Sequence, residues 1–146
     1  MIEIQNLTAS YVDMPFARRV LEGTFKNSGI HDMQSVGIVF MGERKMRRLN
    51  SAYHNENRVT DVLSFPSSPK FIAPKFYGSL YLGEIVVCAP YIKKEALYGH
   101  IRYRRMLAHA LIHGTLHLLG YEHEKSEKDL KKMHAKEEKI MDILNV

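Results

Sequence analysis

The sequence predicts an α+β fold, in which a small mixed β-sheet packs with helices and the central helix is buried. First, apolar, β-branched runs gather in the first two thirds of the chain, whereas helical spacing fills the last third. Second, 45% apolar and 25% charged residues are ordinary for a globular protein. Third, the stretch from Met106 to Leu119 has no charged residue, so its helix is expected to be buried on nearly every side. We expect a single catalytic domain, 1–146.

The first half of the chain predicts two strand–helix pairs. Asp13 followed by Pro15 is typical of a helix start, and Phe16, Val20 and Leu21 continue that helix as an apolar stripe. Gly42 separates the second strand from the helix that follows. In order, the predicted elements are a strand at Ile2 and Ile4, a helix from Asp13 to about Gly29, a strand at Val36–Met41 and a helix at Glu43–Tyr53.

The second half predicts two strands and then three helices. Pro66 ends the first of these strands, and Pro90 is suited to open the first of these helices. Three prolines, a glycine and several serines between Pro66 and Ser79 predict a loop. In order, the elements are strands at Val62–Phe65 and Leu80–Val87, and helices at Pro90 to about Tyr98, about Ile101 to Leu119 and about Lys125 to Leu144.

Composition narrows the class of protein. The one cysteine, Cys88, can form neither an internal disulfide nor a multi-thiolate metal cluster. No secretory signal is recognisable at the start, and no apolar run reaches the ~20 residues of a membrane span, so we expect a cytoplasmic protein with no membrane partner. A net charge of +5 favours a polyanionic partner such as nucleic acid, although solvated helix faces give the same pattern.

Three histidines near the end of the buried helix predict a metal site. His113 and His117 are four residues apart and therefore share one helix face, where two imidazoles can bind one ion. Gly120 can end the helix, so that the chain turns back and brings His123 in as a third ligand. A lone buried histidine is usually a hydrogen-bonded core residue, but three together favour a metal because the helix backbone cannot satisfy all their ring nitrogens. His109, one turn earlier, is expected to be hydrogen-bonded near the site and not a ligand.

Three protein ligands leave the fourth tetrahedral position of a zinc ion open, which is typical of a catalytic site. The alternative, a closed structural site, needs Cys88 as the fourth ligand. We therefore expect one Zn²⁺ per chain and a hydrolytic reaction, because zinc makes hydroxide available at neutral pH. The histidine spacing also matches metzincin proteases, but their general base directly after the first histidine is here Gly114. A zinc metalloprotease-like hydrolase is accordingly the alternative.

The motif His113-Gly-Thr-Leu-His117-Leu-Leu-Gly-Tyr-Glu-His123 resembles that of the YbeY family of ribosomal RNA maturation endoribonucleases. Two further segments agree, Leu49-Asn50 with Tyr53 and Thr60-Asp-Val-Leu-Ser-Phe-Pro66, and Leu82-Gly-Glu-Ile85. The resemblance implies a metal-dependent endoribonuclease that acts on single-stranded RNA at the 3′ end of small-subunit ribosomal RNA precursors, with a role in ribosome quality control. It implies the ribosome or its small subunit as a partner and the same three zinc ligands.

One residue departs from the family pattern. The family usually has an arginine after the tyrosine that Tyr53 matches, and here that residue is His54. Arg58 is expected to take over phosphate binding from the same loop, or His54 to act as acid or base, and a solvated loop residue is the alternative for both. A non-catalytic ribosome-assembly factor, whose zinc only holds His123 against the helix, is the other rival. Three carboxylates are candidate partners of the ligand imidazoles, namely Asp61, Glu84 and Glu124, although a surface or strand-end salt bridge is favoured for each.

Overall fold

The computed structural model describes residues 1–30, 34–67, 80–122 and 125–146. Within these residues it contains four strands and five helices in mixed order. The strands are β1 (Ile2–Asn6), β2 (Gln34–Phe40), β3 (Val62–Pro66) and β4 (Leu80–Val87). The helices are α1 (Met14–Asn27), α2 (Glu43–His54), α3 (Ala89–Tyr98), α4 (Tyr103–Leu118) and α5 (Glu127–Leu144).

The strands form one mixed sheet in the order β1-β2-β4-β3. β1 and β4 both run parallel to β2, whereas β3 runs antiparallel to β4 and ends the described sheet on that side. The register sets Ile38 beside Ile4 and Ile85, and Ile85 beside Ser64. The predicted α+β fold with a small mixed sheet is therefore confirmed.

Alternating side chains give the sheet two differently covered faces. Val36, Ile38, Phe40, Ile85 and Val87 point into a large core that α1, α4 and α5 complete on one face. On the other face a small apolar cluster, to which α2 contributes, comprises Met41, Met46, Leu63, Val86 and Cys88. We refer to these as the α4 side and the α2 side of the sheet.

Helix α4 is the central buried helix that its uncharged sequence predicts. Leu107, Leu111, Ile112 and Leu116 are at most 1% exposed, and all belong to the large core. The helix lies on strands β3 and β4, and α1, α3 and α5 pack around it. Its buried sequence is explained by this position, because the sheet covers one of its sides and helices cover others.

The observed boundaries agree with the predicted ones to within a few residues. Starts differ by two residues at β2 and α5, and also at α4, which begins at Tyr103 rather than near Ile101. His100 has a left-handed backbone (φ 54°) and Arg102 is extended (ψ 134°), so neither continues a helix. The predicted loop 66–79 lies largely outside the described residues, and the single domain 1–146 stays a prediction.

Candidate active site

The helix α4 brings two of the predicted ligands together. His113 and His117 lie one turn apart, their ring centroids are 4.5 Å apart, and the rings meet edge to face at 85°. Their Nε2 atoms are 3.0 Å apart. The prediction that His113 and His117 share one helix face is therefore confirmed, because their four-residue spacing brings one nitrogen of each ring to the same point.

The other nitrogen of each ring is held by an acceptor. His113 Nδ1 lies 2.7 Å from the Glu137 Oε1 atom, and His117 Nδ1 lies 2.9 Å from the Tyr121 carbonyl oxygen. A carbonyl and an ionised carboxylate can only accept, so both Nδ1 atoms carry the proton and donate. The two Nε2 atoms lie at the opposite edges of the rings and face each other at 3.0 Å.

Glu137 anchors this arrangement from α5. Its side chain is 2% exposed, and its second oxygen, Oε2, accepts a hydrogen bond from His109 Nε2 at 2.8 Å. Burial raises the pKa of the Glu137 carboxyl, but the hydrogen bonds from His109 and His113 outweigh this and bring the pKa to about 2. The hydrogen bond to Glu137 also raises the pKa of His109, against the lowering effect of burial. The carboxylate is therefore ionised at neutral pH.

The residues present fit a shared cation. Imidazole nitrogens are among the ligands that zinc prefers, and here two of them face one point while hydrogen bonds hold the outer nitrogens of both rings. No group of three histidine, cysteine, aspartate or glutamate side chains suited to a metal occurs among the described residues. His123, the third predicted ligand, lies outside them, as does Glu124.

These imidazoles form the floor of a groove with a volume of about 800 Å³. Both predicted catalytic residues, His54 and Arg58, line the same groove, and so does His109. The structure thus unites residues from the end of α2, the loop after it, strand β3 and helix α4. Besides those three and the two candidate ligands, the lining comprises Asn50, Glu56, Thr60, Asp61, Val62, Leu63, Ser64, Pro66, Gly120, Tyr121, Glu122 and Lys125.

The loop carrying Arg58 is tied to α2 by a buried amide. Asn50 is 3% exposed, and its Nδ2 donates to the Arg58 carbonyl oxygen at 3.0 Å. Asn55 ends α2 in the left-handed conformation at φ 59°, which turns the chain toward the groove. The Arg58 guanidinium contacts Glu56 at 2.5 Å, with side chains 72% and 48% exposed. The backbone of this loop is thus anchored, while its charged groups stay in water.

Gly114, which stands where the metzincin proteases have their general base, packs closely against the sheet. A Cβ atom there would lie 3.0 Å from Ile85 Cγ2, 3.1 Å from Val62 Cγ2 and 3.2 Å from Ser64 Oγ. The Ser64 hydroxyl also donates to the Gly114 carbonyl oxygen at 3.0 Å. The nearest atoms all belong to strands β3 and β4, so a glutamate at 114 would have to displace them.

The imidazole partner is a residue that sequence reasoning missed. Asp61 lines the groove, but its Oδ1 accepts from its neighbours, Val62 N at 2.8 Å and Thr60 Oγ1 at 3.3 Å. Glu84 is exposed, with its side chain over Gly37 on the α2 side of the sheet. Glu137 takes the role instead. The available signal was its spacing, four residues after Met133 and three before Ile140, which places a carboxylate within the apolar stripe of α5.

Other features stand apart from the groove. Cys88 packs in the small cluster on the α2 side, so it is not among the described lining residues. Four exposed basic residues of α2 are likewise outside that lining, namely Arg44, Lys45, Arg47 and Arg48. Among the described residues, no helix combines the length and the apolar character of a membrane span.

Known proteins are similar to this chain in sequence. The family model described as Endoribonuclease YbeY matches residues 4–145. The Acinetobacter baumannii protein named Endoribonuclease YbeY is 35% identical over 130 residues, which are 88% of this chain and 82% of that protein. The Roseiflexus protein of the same name is 37% identical over 142 residues, or 94% and 88% of the two chains.

A solved structure agrees. The solution structure of a Thermotoga maritima protein superimposes with a TM-score of 0.65 at 27% identity, covering 96% of this chain and 86% of that one. The predicted enzyme class, a hydrolytic nuclease, is confirmed by the family and its named members. The chain belongs to the YbeY family of endoribonucleases.

Proposed function

We propose that this protein is a zinc-dependent endoribonuclease that cleaves single-stranded RNA. Its substrate would be the ribosomal RNA precursor, cut at the 3′ end of the small-subunit RNA, and its place of action the cytoplasm, on the ribosome or its small subunit. The same activity would serve ribosome quality control. The relatives named endoribonuclease support the RNA substrate, and the net charge of +5 suits a polyanion.

One observation carries the metal dependence. The Nε2 atoms of His113 and His117 converge to 3.0 Å while both Nδ1 atoms donate to acceptors. The Glu137 carboxylate and the Tyr121 carbonyl hold the outer nitrogens, so that both inner nitrogens face one point. Histidine ligands of a shared ion are held by partners in the same way.

The chain's own residues would divide the work as follows. His113, His117 and His123 would hold the ion. When bound there, zinc supplies a Lewis acid for phosphodiester hydrolysis at neutral pH. Arg58 would offset the charge that develops on the phosphate, and His54, on the same wall, would donate or accept a proton at the scissile linkage. A single strand suits the groove because its backbone can bend to bring one phosphate to the floor.

The rival hydrolase, a zinc protease, is disfavoured by Gly114. A glutamate there would have to displace Ile85, Val62 and Ser64, which lie 3.0–3.2 Å from the Cβ position of Gly114. The decisive experiment compares cleavage of single-stranded RNA and of casein by the wild type and by His117→Ala. We expect RNA cleavage to fall more than a hundredfold in the variant, and casein to be untouched by both.

His134→Ala is the matched control, because His134 is an exposed histidine on α5 that is not among the described groove residues. It should cleave RNA at the wild-type rate. RNA cleavage that survives His117→Ala unchanged would refute the nuclease proposal, and casein cleavage that the variant abolishes would favour the protease.

Chelation separates the enzyme from the non-catalytic assembly factor. We expect removal of zinc to abolish RNA cleavage while the far-ultraviolet circular dichroism stays native, because the large core holds α4 without a metal. Loss of the native spectrum on chelation would instead indicate a structural metal. Elemental analysis of the purified protein should show one zinc per chain.

A further inference from the structure

We propose that Glu137 is a positioning residue whose buried carboxylate, anchored by His109, fixes the ring of His113 for a divalent cation. The inference rests on the proposed function, because it takes His113 as a ligand. It assigns a role to two residues, Glu137 and His109, that the zinc-ligand motif does not include.

The carboxylate bridges two histidines on successive turns of α4. Its Oε1 accepts from His113 Nδ1 at 2.7 Å and its Oε2 from His109 Nε2 at 2.8 Å. His109 and His113 are nearly parallel, with ring centroids 6.0 Å apart and planes at 27°. Because both oxygens are engaged, rotation of the carboxylate would break both hydrogen bonds, and rotation of the His113 ring would break the bond to Oε1.

The burial of Glu137 carries a free-energy cost, which indicates that the carboxylate has a role other than packing. The Glu137 side chain is 2% exposed and lies in the apolar stripe of α5, between Met133 and Ile140. An ionised carboxylate in such a place is destabilising unless hydrogen bonds compensate it. An apolar residue would pack at this position without needing hydrogen bonds. A carboxylate that faces two imidazoles instead suits a positioning role.

His109 acts as the outer anchor. Its side chain is 46% exposed in the groove, compared with 24% for His113. It contacts the oxygen that His113 does not use, so it restrains the carboxylate from the groove side. Removing His109 should loosen Glu137 and weaken the hold on His113 indirectly, which predicts a smaller effect on metal binding than removing the carboxylate.

The experiment is a competition titration of the metal-free protein with Zn²⁺ against a chromophoric chelator. We expect Glu137→Gln to weaken zinc binding at least tenfold, within the 10–100-fold range typical of partners of metal-bound histidines. His109→Gln should weaken it two- to fivefold. Glu138→Gln is the matched control, since Glu138 is the next residue, is 61% exposed and faces Arg105 at 3.7 Å. It should bind zinc as the wild type does.

Glu137→Gln that binds zinc as tightly as the wild type would overturn the inference, whereas a wild type that binds no zinc would refute the metal in the proposed function. Circular dichroism of each variant checks that it is folded. A second measurement needs no variant and no metal. Nitrogen-15 spectra at pH 8 should show His113 of the metal-free wild type protonated at Nδ1, and a ring protonated mainly at Nε2 would equally overturn the proposal.

Discussion

The charged groups on the two sides of the sheet differ in their solvent exposure. On the α4 side, the buried carboxylate of Glu137 is joined by short hydrogen bonds to two imidazoles, which are 24% and 46% exposed. On the α2 side, the apolar cluster is small, and the charged groups that reach the groove, such as Arg58 and Glu56, are 72% and 48% exposed. The groove lies where these two sides meet, along strand β3.

This difference predicts which substitutions change the free energy of unfolding and which change activity alone. Groups on the α4 side are part of the core, so a change there should alter the free energy of unfolding as well as activity. Groups on the α2 side are solvated, so a change there should alter activity alone. A floor that is fixed before substrate arrives can hold a metal ion accurately, whereas exposed groups on the wall can adapt to a flexible strand.

The largest expected effect is on the α4 side, at Gly114. We expect Gly114→Glu to lower the free energy of unfolding by at least about 3 kcal/mol, because its side chain must displace Ile85 and Val62 and bury a carboxylate. Gly114→Ala, which adds only the Cβ, should stay within about 1 kcal/mol of the wild type. Urea unfolding measures both. A stable Gly114→Glu protein that cleaves casein would restore the protease hypothesis.

The next effect concerns acid stability and Glu137. Its folded pKa of about 2 is below the ordinary 4.5, so its stabilisation is present above pH 4.5 and is lost as the pH falls toward 2. From pH 5 to pH 3 the metal-free wild type should lose about 2 kcal/mol more unfolding free energy than Glu137→Gln. Urea unfolding at both pH values tests this. Equal losses in the two proteins would mean that the carboxylate is not ionised in the core.

The smallest effect is expected on the α2 side, at Arg58. Arg58→Ala should reduce kcat/KM for single-stranded RNA about tenfold, since a charged contact to phosphate is lost, with the unfolding free energy changed by less than about 0.5 kcal/mol. Lys94→Ala is the control, because Lys94 is equally exposed (69%) and paired, with Glu43 at 2.8 Å, but is not among the described groove residues. A large loss of stability in Arg58→Ala would contradict the separation of the two sides.

Much of the fold followed from local patterns. The α4 helix was predictable because an uncharged run of this length with helical spacing has no stable position on a surface. The pairing of His113 with His117 was predictable because helix geometry alone brings residues four apart together. The start of α4 was placed two residues early, because the left-handed His100 depends on the turn from α3 and has no signature in composition.

The role of Glu137 could not be predicted from local sequence patterns. Its spacing from Met133 and Ile140 places it in the apolar stripe of α5, but nothing in the surrounding run Lys136-Glu-Glu-Lys139 identifies its partner. Its choice of His113 as partner depends on how α5 crosses α4, 24 residues away in sequence. No spacing rule fixes that distance.

The sequence by itself determined the order of strands and helices, the buried central helix and the face that His113 and His117 share, because each depends on contacts within a few residues. Tertiary structure alone decided that Glu137 and the Tyr121 carbonyl orient those rings, that Gly114 faces the sheet, and that His54 and Arg58 line the same groove. The physical reason is packing. Separate elements meet in positions set by the whole core, and a buried hydrogen bond forms only where two of them are brought within about 3 Å.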